Sequence, residues 1–214
     1  AVASAIENAR LFESERRHAE TMLVLSDIGR EFASILDLDE LLRRIASRVK
    51  RLIGYRTFGI LLVDEETGEI RMRHAVQYDD SAPAKALKVG EGLVGHAVLH
   101  KAVIVVDDVS KDPRYIRVVD DVQSELVVPL LVKDRCVGVF DLESPEIAAF
   151  TQEHVELLTA LAASAAVAID NARLYDELRR NEERLAREVA FAQRIQRALL
   201  PPELPTRLKG LDVA

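Results

Sequence analysis

Tryptophan is absent from this 214-residue sequence, and aromatic residues make up only 5% of it. Stacking platforms for single-stranded nucleic acid depend on such rings and are not expected. A basic excess is missing too. Acids outnumber bases 36 to 29 for a net charge of −7, so binding to a phosphate backbone is not expected either. There is one cysteine, Cys136, which excludes an intramolecular disulfide; nothing asks for an oxidising compartment, and a cytoplasmic protein is expected. The longest uncharged run at a plausible membrane depth, Leu157 to Ile169, is mostly alanine and falls short of the roughly 20 residues that span a bilayer. No signal-peptide pattern follows Ala1. What is present, 49% hydrophobic and 30% charged residues, suits a folded chain, and the length suits one or two domains of roughly 100–200 residues each.

An internal repeat organises the rest. Ile6 to Glu13 reads IENARLFE and Ile169 to Asp176 reads IDNARLYD, a spacing of 163 residues. That is the length of a domain and not of a solenoid unit, so the chain is expected to open inside the last helix of one domain and then to contain a second domain entire.

Residues 1–34 are charged and helix-permissive, without proline. Asp37 with Glu40 three positions on resembles a capping box, and Leu38, Leu41, Leu42, Ile45, Val49 and Leu52 mark one helical face that stops at Gly54. Thr57–Val63 and Glu69–Val76 read as strands around the turn Glu65 to Gly68. Val89 to His100 predicts a short helix introduced by Gly90 and Gly92, and Ala102 to Val106 an apolar strand. Asp107 to Gln123 predicts a loop with a short helix around Pro113 to Val118. Glu125 to Val132 and Arg135 to Leu142 predict a second hairpin about Lys133-Asp134. These strands are apolar on both faces, which predicts a sheet covered on both sides.

Thr151 caps the final helix, with Phe150 positioned to staple onto Val155, and neither glycine nor proline interrupts the chain again before Pro201. Such a helix would be about 70 Å long, beyond the size of one small domain, so its distal half must find a partner or stand in water. Leu178, Leu185, Ala192 and Leu199 share one heptad position, and Leu174, Asn181, Glu188 and Ile195 the one four residues earlier. Asn181 is tolerable as a register-setting polar residue, while Glu188 is a flaw that neighbouring Val189 can cover. Acid–base pairs at i,i+4, Asp176 with Arg180 and Glu183 with Arg187, support the helix. The expectation is a parallel homodimeric coiled coil; a solvated single helix is the alternative.

The segments GEGLVGHAV (90–98), VVDDVSKDPRY (105–115), SELVVPLLVKDRCVGVFDLES (124–144) and FTQEHVELLTALAASAAVAIDNARLY (150–175) together resemble a GAF domain. The resemblance implies an α+β fold: an antiparallel sheet with helices on one face and pocket-forming loops on the other. It implies a linker helix from a preceding GAF domain over 1–30, the GAF domain over 31–175 and a coiled-coil linker over 176–200. The tail AFAQRIQRALLPPELPTRLKGLDVA (190–214) resembles the start of a SpoIIE-like, PPM-type serine/threonine phosphatase domain, truncated over 201–214. That family uses divalent metal ions held by Asp side chains further downstream, so no catalytic residue and no metal site is expected within these 214 residues, and the ligand of the GAF domain is unknown.

Cyclic-nucleotide-binding members carry an Asn-Lys pair after the last strand of the second hairpin, where this chain has Glu143 and Ser144, so that function is not carried over. By the same resemblance Leu61, Val76, His96, Tyr115, Asp120, Gln123 and Ser124 are the candidate ligand-facing residues, although each also reads as a cap, a loop hydrogen bond or a packed side chain. His96 and His100 stand at i,i+4, but no third ligand accompanies them at a metal-like spacing. Cys136 lies in an apolar strand, where a thiol is a small hydrophobe. Neither a phosphate-binding glycine loop nor a nucleophile elbow is present. The expected function is a sensory and regulatory module that passes a small-molecule or upstream signal through a dimeric helix, comprising Leu174, Leu178, Asn181, Leu185, Ile195 and Leu199, to a phosphatase acting on a phosphoserine regulatory protein. The rivals are a ligand-free dimerisation connector and an enzyme built on the same fold.

Overall fold

The computed structural model describes Phe12, residues 23–77 and residues 86–199. Of the linker helix expected over 1–30, residues 1–11 and 13–22 lie outside the described residues, as does the phosphatase-like segment 201–214. Residues 23–33 form helix α1. The order continues α2 (Leu38–Leu52), β1 (Thr57–Val63), β2 (Glu69–Val76), β3 (Leu87–Lys88), α3 (Gly92–His100), β4 (Ile104–Val106), a single 3-10 turn (Val109–Lys111), β5 (Ser124–Val132), β6 (Arg135–Ser144) and α4 (Gln152–Leu199). The six strands make one antiparallel sheet in the order β3-β2-β1-β6-β5-β4.

Helix α2 begins where the sequence places it. The Asp37 carboxylate accepts a hydrogen bond from the Glu40 amide at 2.8 Å, satisfying one of the orphan donors of the first turn. Asp37→Ala is therefore expected to lower stability by about 1 kcal/mol, read as a lower urea midpoint with an unchanged m-value. Leu41, Leu42, Ile45 and Val49 form the buried face of that helix.

Both sides of the sheet are covered. On one side α1, α2 and the first part of α4 enclose a core around Phe32, Leu41, Ile45, Phe58, Phe140, Leu142, Leu158 and Ile169. Phe58 and Phe140 meet edge to face at 5.5 Å between ring centroids. Helix α1 is tied in at two places: Glu31 pairs with Arg44 and Arg48 of α2, and Gly29 lies against Ser164 of α4. On the other side α3, β4 and the loop before β5 cover a smaller cluster that includes Leu61, Val94, Ala97, Val127 and Val139.

Four details depart from the sequence reading. The turn of helix in the 107–123 loop is Val109–Lys111, upstream of Pro113, because Asp108 caps it through the Ser110 amide at 3.1 Å while Asp112 binds the amide and guanidinium of Arg114 and holds residues 113–118 out of helix. Strand β6 runs on to Ser144, and a two-residue strand, β3, closes one edge. Glu183 pairs with Arg179 at 3.6 Å in place of the expected Arg187, whereas the expected pair of Asp176 with Arg180 is present at 2.6 Å.

Helix α4 is an unbroken 48 residues but belongs to two compact units, divided between Arg173 and Leu174. By length and composition it could cross a membrane. In its first part, however, many of the apolar residues are packed in the core, with Leu158, Leu161, Ala165, Ala166, Ile169 and Ala172 at most 1% exposed. In the second unit Leu174, Leu178, Leu185, Val189 and Ile195 are 43–56% exposed.

Candidate functional site

On the α3 side of the sheet the strand residues change from apolar to acidic along two neighbouring strands. Alternation along β6 puts Val139, Asp141 and Glu143 on this face, with Phe140 and Leu142 on the helix side. Register pairs Glu125 of β5 with Glu143, Val127 with Asp141, and Thr57 and Gly59 of β1 with Glu143 and Asp141. Three carboxylates, Glu125, Asp141 and Glu143, are thereby collected at the β1-β6-β5 centre of the sheet, each no more than 7% exposed.

Buried carboxylates cannot all stay ionised at such proximity. Desolvation, followed by the charges of Asp141 and Glu143 and a hydrogen bond with Asp141, pushes the Glu125 carboxyl well above its ordinary range, so that it holds a proton. As a neutral acid it can donate where an ionised one can only accept. The Thr57 hydroxyl donates to Glu143. Above them lies the Tyr115 phenol. Its hydroxyl is buried with no hydrogen-bond partner among the described residues, and burial together with the negative potential of Glu143, Glu125 and Asp141 raises its pKa, keeping it neutral.

The seven residues singled out from the sequence do not form one site. Leu61 and Tyr115 belong to the α3-side cluster. His96 is half-buried on α3, with Nδ1 at 2.7 Å from the Gly92 carbonyl oxygen. Val76 packs against the helix-side core, on the opposite side of the sheet, because a residue skipped in the β1–β2 register at Arg73 shifts which residues face each side. Asp120 and Gln123 are exposed. Ser124 is buried, but its hydroxyl donates to the Glu146 carbonyl at 2.7 Å and accepts from the Ala149 amide at 3.4 Å, a bond that secures the turn into α4. The acidic group was missed although a signal exists: Asp141 and Glu143 at i,i+2 in a strand otherwise apolar on both faces.

His96 and His100 have ring centroids 6.1 Å apart, and among the described residues no group of three or more His, Cys, Asp or Glu side chains is arranged to hold a metal ion. Cys136 is 8% exposed; its thiol contacts the Gly138 carbonyl at 3.1 Å, and burial raises its pKa.

Fold and site together define an α+β domain with a helical core on one face of its sheet and, on the other, a buried acidic group beside the cluster covered by α3 and the loop before β5. The model of the GAF domain matches residues 35–170, and the chain belongs to that family. Over 197 residues it is 26% identical to the formate hydrogenlyase transcriptional activator of Escherichia coli, covering 87% of this chain and 28% of the relative. The chain thus spans about a quarter of the length of the transcriptional activators it matches. Among solved structures, free methionine-R-sulfoxide reductase from Neisseria meningitidis, in complex with its substrate, is similar with a TM-score of 0.64 and 28% identity over 74% of this chain and 93% of that one. A GAF sensor protein from Burkholderia vietnamiensis gives 0.63 and 25%, covering 72% and 98%. The fold therefore has both regulatory and enzymatic relatives.

Proposed function

We propose that this chain is the sensory and regulatory module of a cytoplasmic signal-transduction phosphatase, in which a GAF domain biases a dimeric output helix. The observation that carries this reading is the division of α4: residues up to Ala172 are fixed in the domain core, whereas Leu174, Leu178, Leu185 and Ile195 continue on the same helix with exposed side chains at coiled-coil spacing. A ligand bound beside Tyr115 and the buried carboxylates acts through its different affinity for two arrangements of that helix pair. A SpoIIE-like phosphatase domain, whose start the tail resembles, supplies the output, dephosphorylation of a phosphoserine regulatory protein. The regulatory relatives support this class of role.

Thiol-based reduction, as an alternative, requires an accessible thiolate. The single cysteine of the chain is buried on β6 with its pKa raised, which favours sensing over reductase chemistry. Leu178→Asp with Leu185→Asp is the direct test. The double variant is expected to keep the circular-dichroism and thermal signature of the GAF domain and to sediment as a monomer, with dimer affinity weakened roughly a thousandfold or more, at about 1.4 kcal/mol per tenfold. A wild-type protein that is monomeric at high concentration would overturn the dimeric-helix reading. Native mass spectrometry of the purified protein separates a sensor, which retains a small molecule, from an empty connector.

A further inference from the structure

The octapeptide that occurs twice acquires a physical meaning from its second copy. In Ile169 to Asp176, Ile169 and Ala172 are fully buried in the helix-side core, while Leu174 and Tyr175 are 56% and 49% exposed. Asp170 and Arg173, at i and i+3, could pair with one another along the helix. Instead each reaches the sheet. Asp170 receives two hydrogen bonds of 2.8 Å from one Nη of Arg135, the first residue of β6. The other Nη of Arg135 pairs with Glu65 in the β1–β2 turn. Arg173 donates to the carbonyl of Val63, the last residue of β1, at 3.1 Å.

Strand pairing explains why one helix turn can reach both places. Strands β1 and β6 are antiparallel neighbours, with Leu62 opposite Gly138, so the end of β1 and the start of β6 lie at the same end of the sheet. The β1–β2 and β5–β6 turns meet there. Of the two arms of Arg135, the one to Glu65 joins side chains 44% and 45% exposed, where ion pairs contribute little. The Asp170 side chain is only 13% exposed, so it depends on its partner.

We propose that Asp170 and Arg173 form a latch that fastens the outgoing helix to both hairpin tips just before the coiled-coil segment begins at Leu174. The position of either hairpin tip then sets how the output helix is held. This inference rests on the reading of α4 as an output helix.

Hydrogen exchange read by mass spectrometry on the 214-residue protein tests it. In Arg135→Gln and in Asp170→Asn, peptides covering residues 165–180 are expected to exchange roughly tenfold faster, with α2 and β5 unchanged. The double variant is expected to be no faster than either single one, because both remove the same bond. Unchanged exchange, additive effects, or an equal rise in α2 and β5 would each overturn the latch. Sedimentation of the wild type separates the two readings. A monomer with the expected exchange changes removes the dimeric helix and keeps the latch, and a dimer without them removes the latch alone.

Discussion

Raising the pH from 5 to 8 is expected to destabilise the GAF domain through Glu125, and Glu125→Gln is expected to remove that dependence. In the folded state the Glu125 carboxyl is held protonated by burial and by Asp141 and Glu143, with Asp112 adding to the same potential. Its folded pKa is therefore raised above the unfolded value. A group of this kind contributes its full stabilisation below the unfolded pKa and loses it as the pH climbs through the folded one, at about 1.4 kcal/mol per pH unit between the two. The proton is shared within the acidic group, so the transition belongs to the cluster. Near it are Tyr115, kept neutral by the same field, and the Thr57 hydroxyl, which donates to Glu143; Arg117 acts with its positive charge on the Tyr115 phenol.

Glutamine reproduces the shape and the donor of the protonated acid without its titration. The variant should lack the fall in stability that wild type shows as the pH rises, compared by urea midpoints at fixed ionic strength. His74 supplies an opposite trend. Burial lowers its pKa, so its contribution is present above the unfolded value and is lost as the pH falls. Because both proteins carry His74, the difference between their profiles isolates the acid. Parallel profiles would show that the carboxyl ionises in the folded protein without cost.

That cluster also marks where sequence legibility ended. The helix-side core was readable because α2 repeats its apolar residues at 3.6 and β1 is apolar throughout, patterns that burial alone enforces. The two-sided cover of the sheet was readable from the same runs. Glu125 and Glu143 stand 18 residues apart in sequence, and only the β5–β6 register makes them opposite neighbours. Val76, named as ligand-facing by the family resemblance, packs on the helix side because the register shift in β2 changes which residues face each side, and no local pattern announces that shift. The short helix was displaced toward Pro113 because proline is a common helix start, whereas the stronger determinant was the Asp108 cap upstream. The repeat, by contrast, was plain in the sequence, but the partners of Asp170 and Arg173 lie on strands 35 and 110 residues away.

Gly138→Ala is expected to be among the most damaging of the smallest possible substitutions in this fold. Gly138 sits beside the irregularity where Leu130 pairs with it but Leu131 pairs with Cys136, so that Val137 is the extra residue of a bulge. A Cβ built on Gly138 would stand against the Leu61 carbonyl oxygen and the Leu62 side chain, both under 3.0 Å, with the Leu62 Cα at 3.2 Å. The carbonyl is backbone in the adjoining central strand and cannot swing aside, so β1 and β6 would have to separate where the two cores meet. Overpacking of this kind costs about 3 kcal/mol or more, roughly 10 °C in Tm for a domain of this size. Two other glycines supply the controls. At Gly59 the obstacle is the end of the Met72 side chain, with Cε at 2.9 Å, and a flexible thioether can move away, so Gly59→Ala should cost about 1 kcal/mol or less. At Gly54 nothing lies within 4 Å, and Gly54→Ala should be within about 0.5 kcal/mol of neutral. Thermal melts of the three variants check the order. Equal Tm values for Gly138→Ala and Gly59→Ala would mean that β1 and β6 can part at the bulge without loss, and the bulge would then be a flexible joint instead of a fixed crossing.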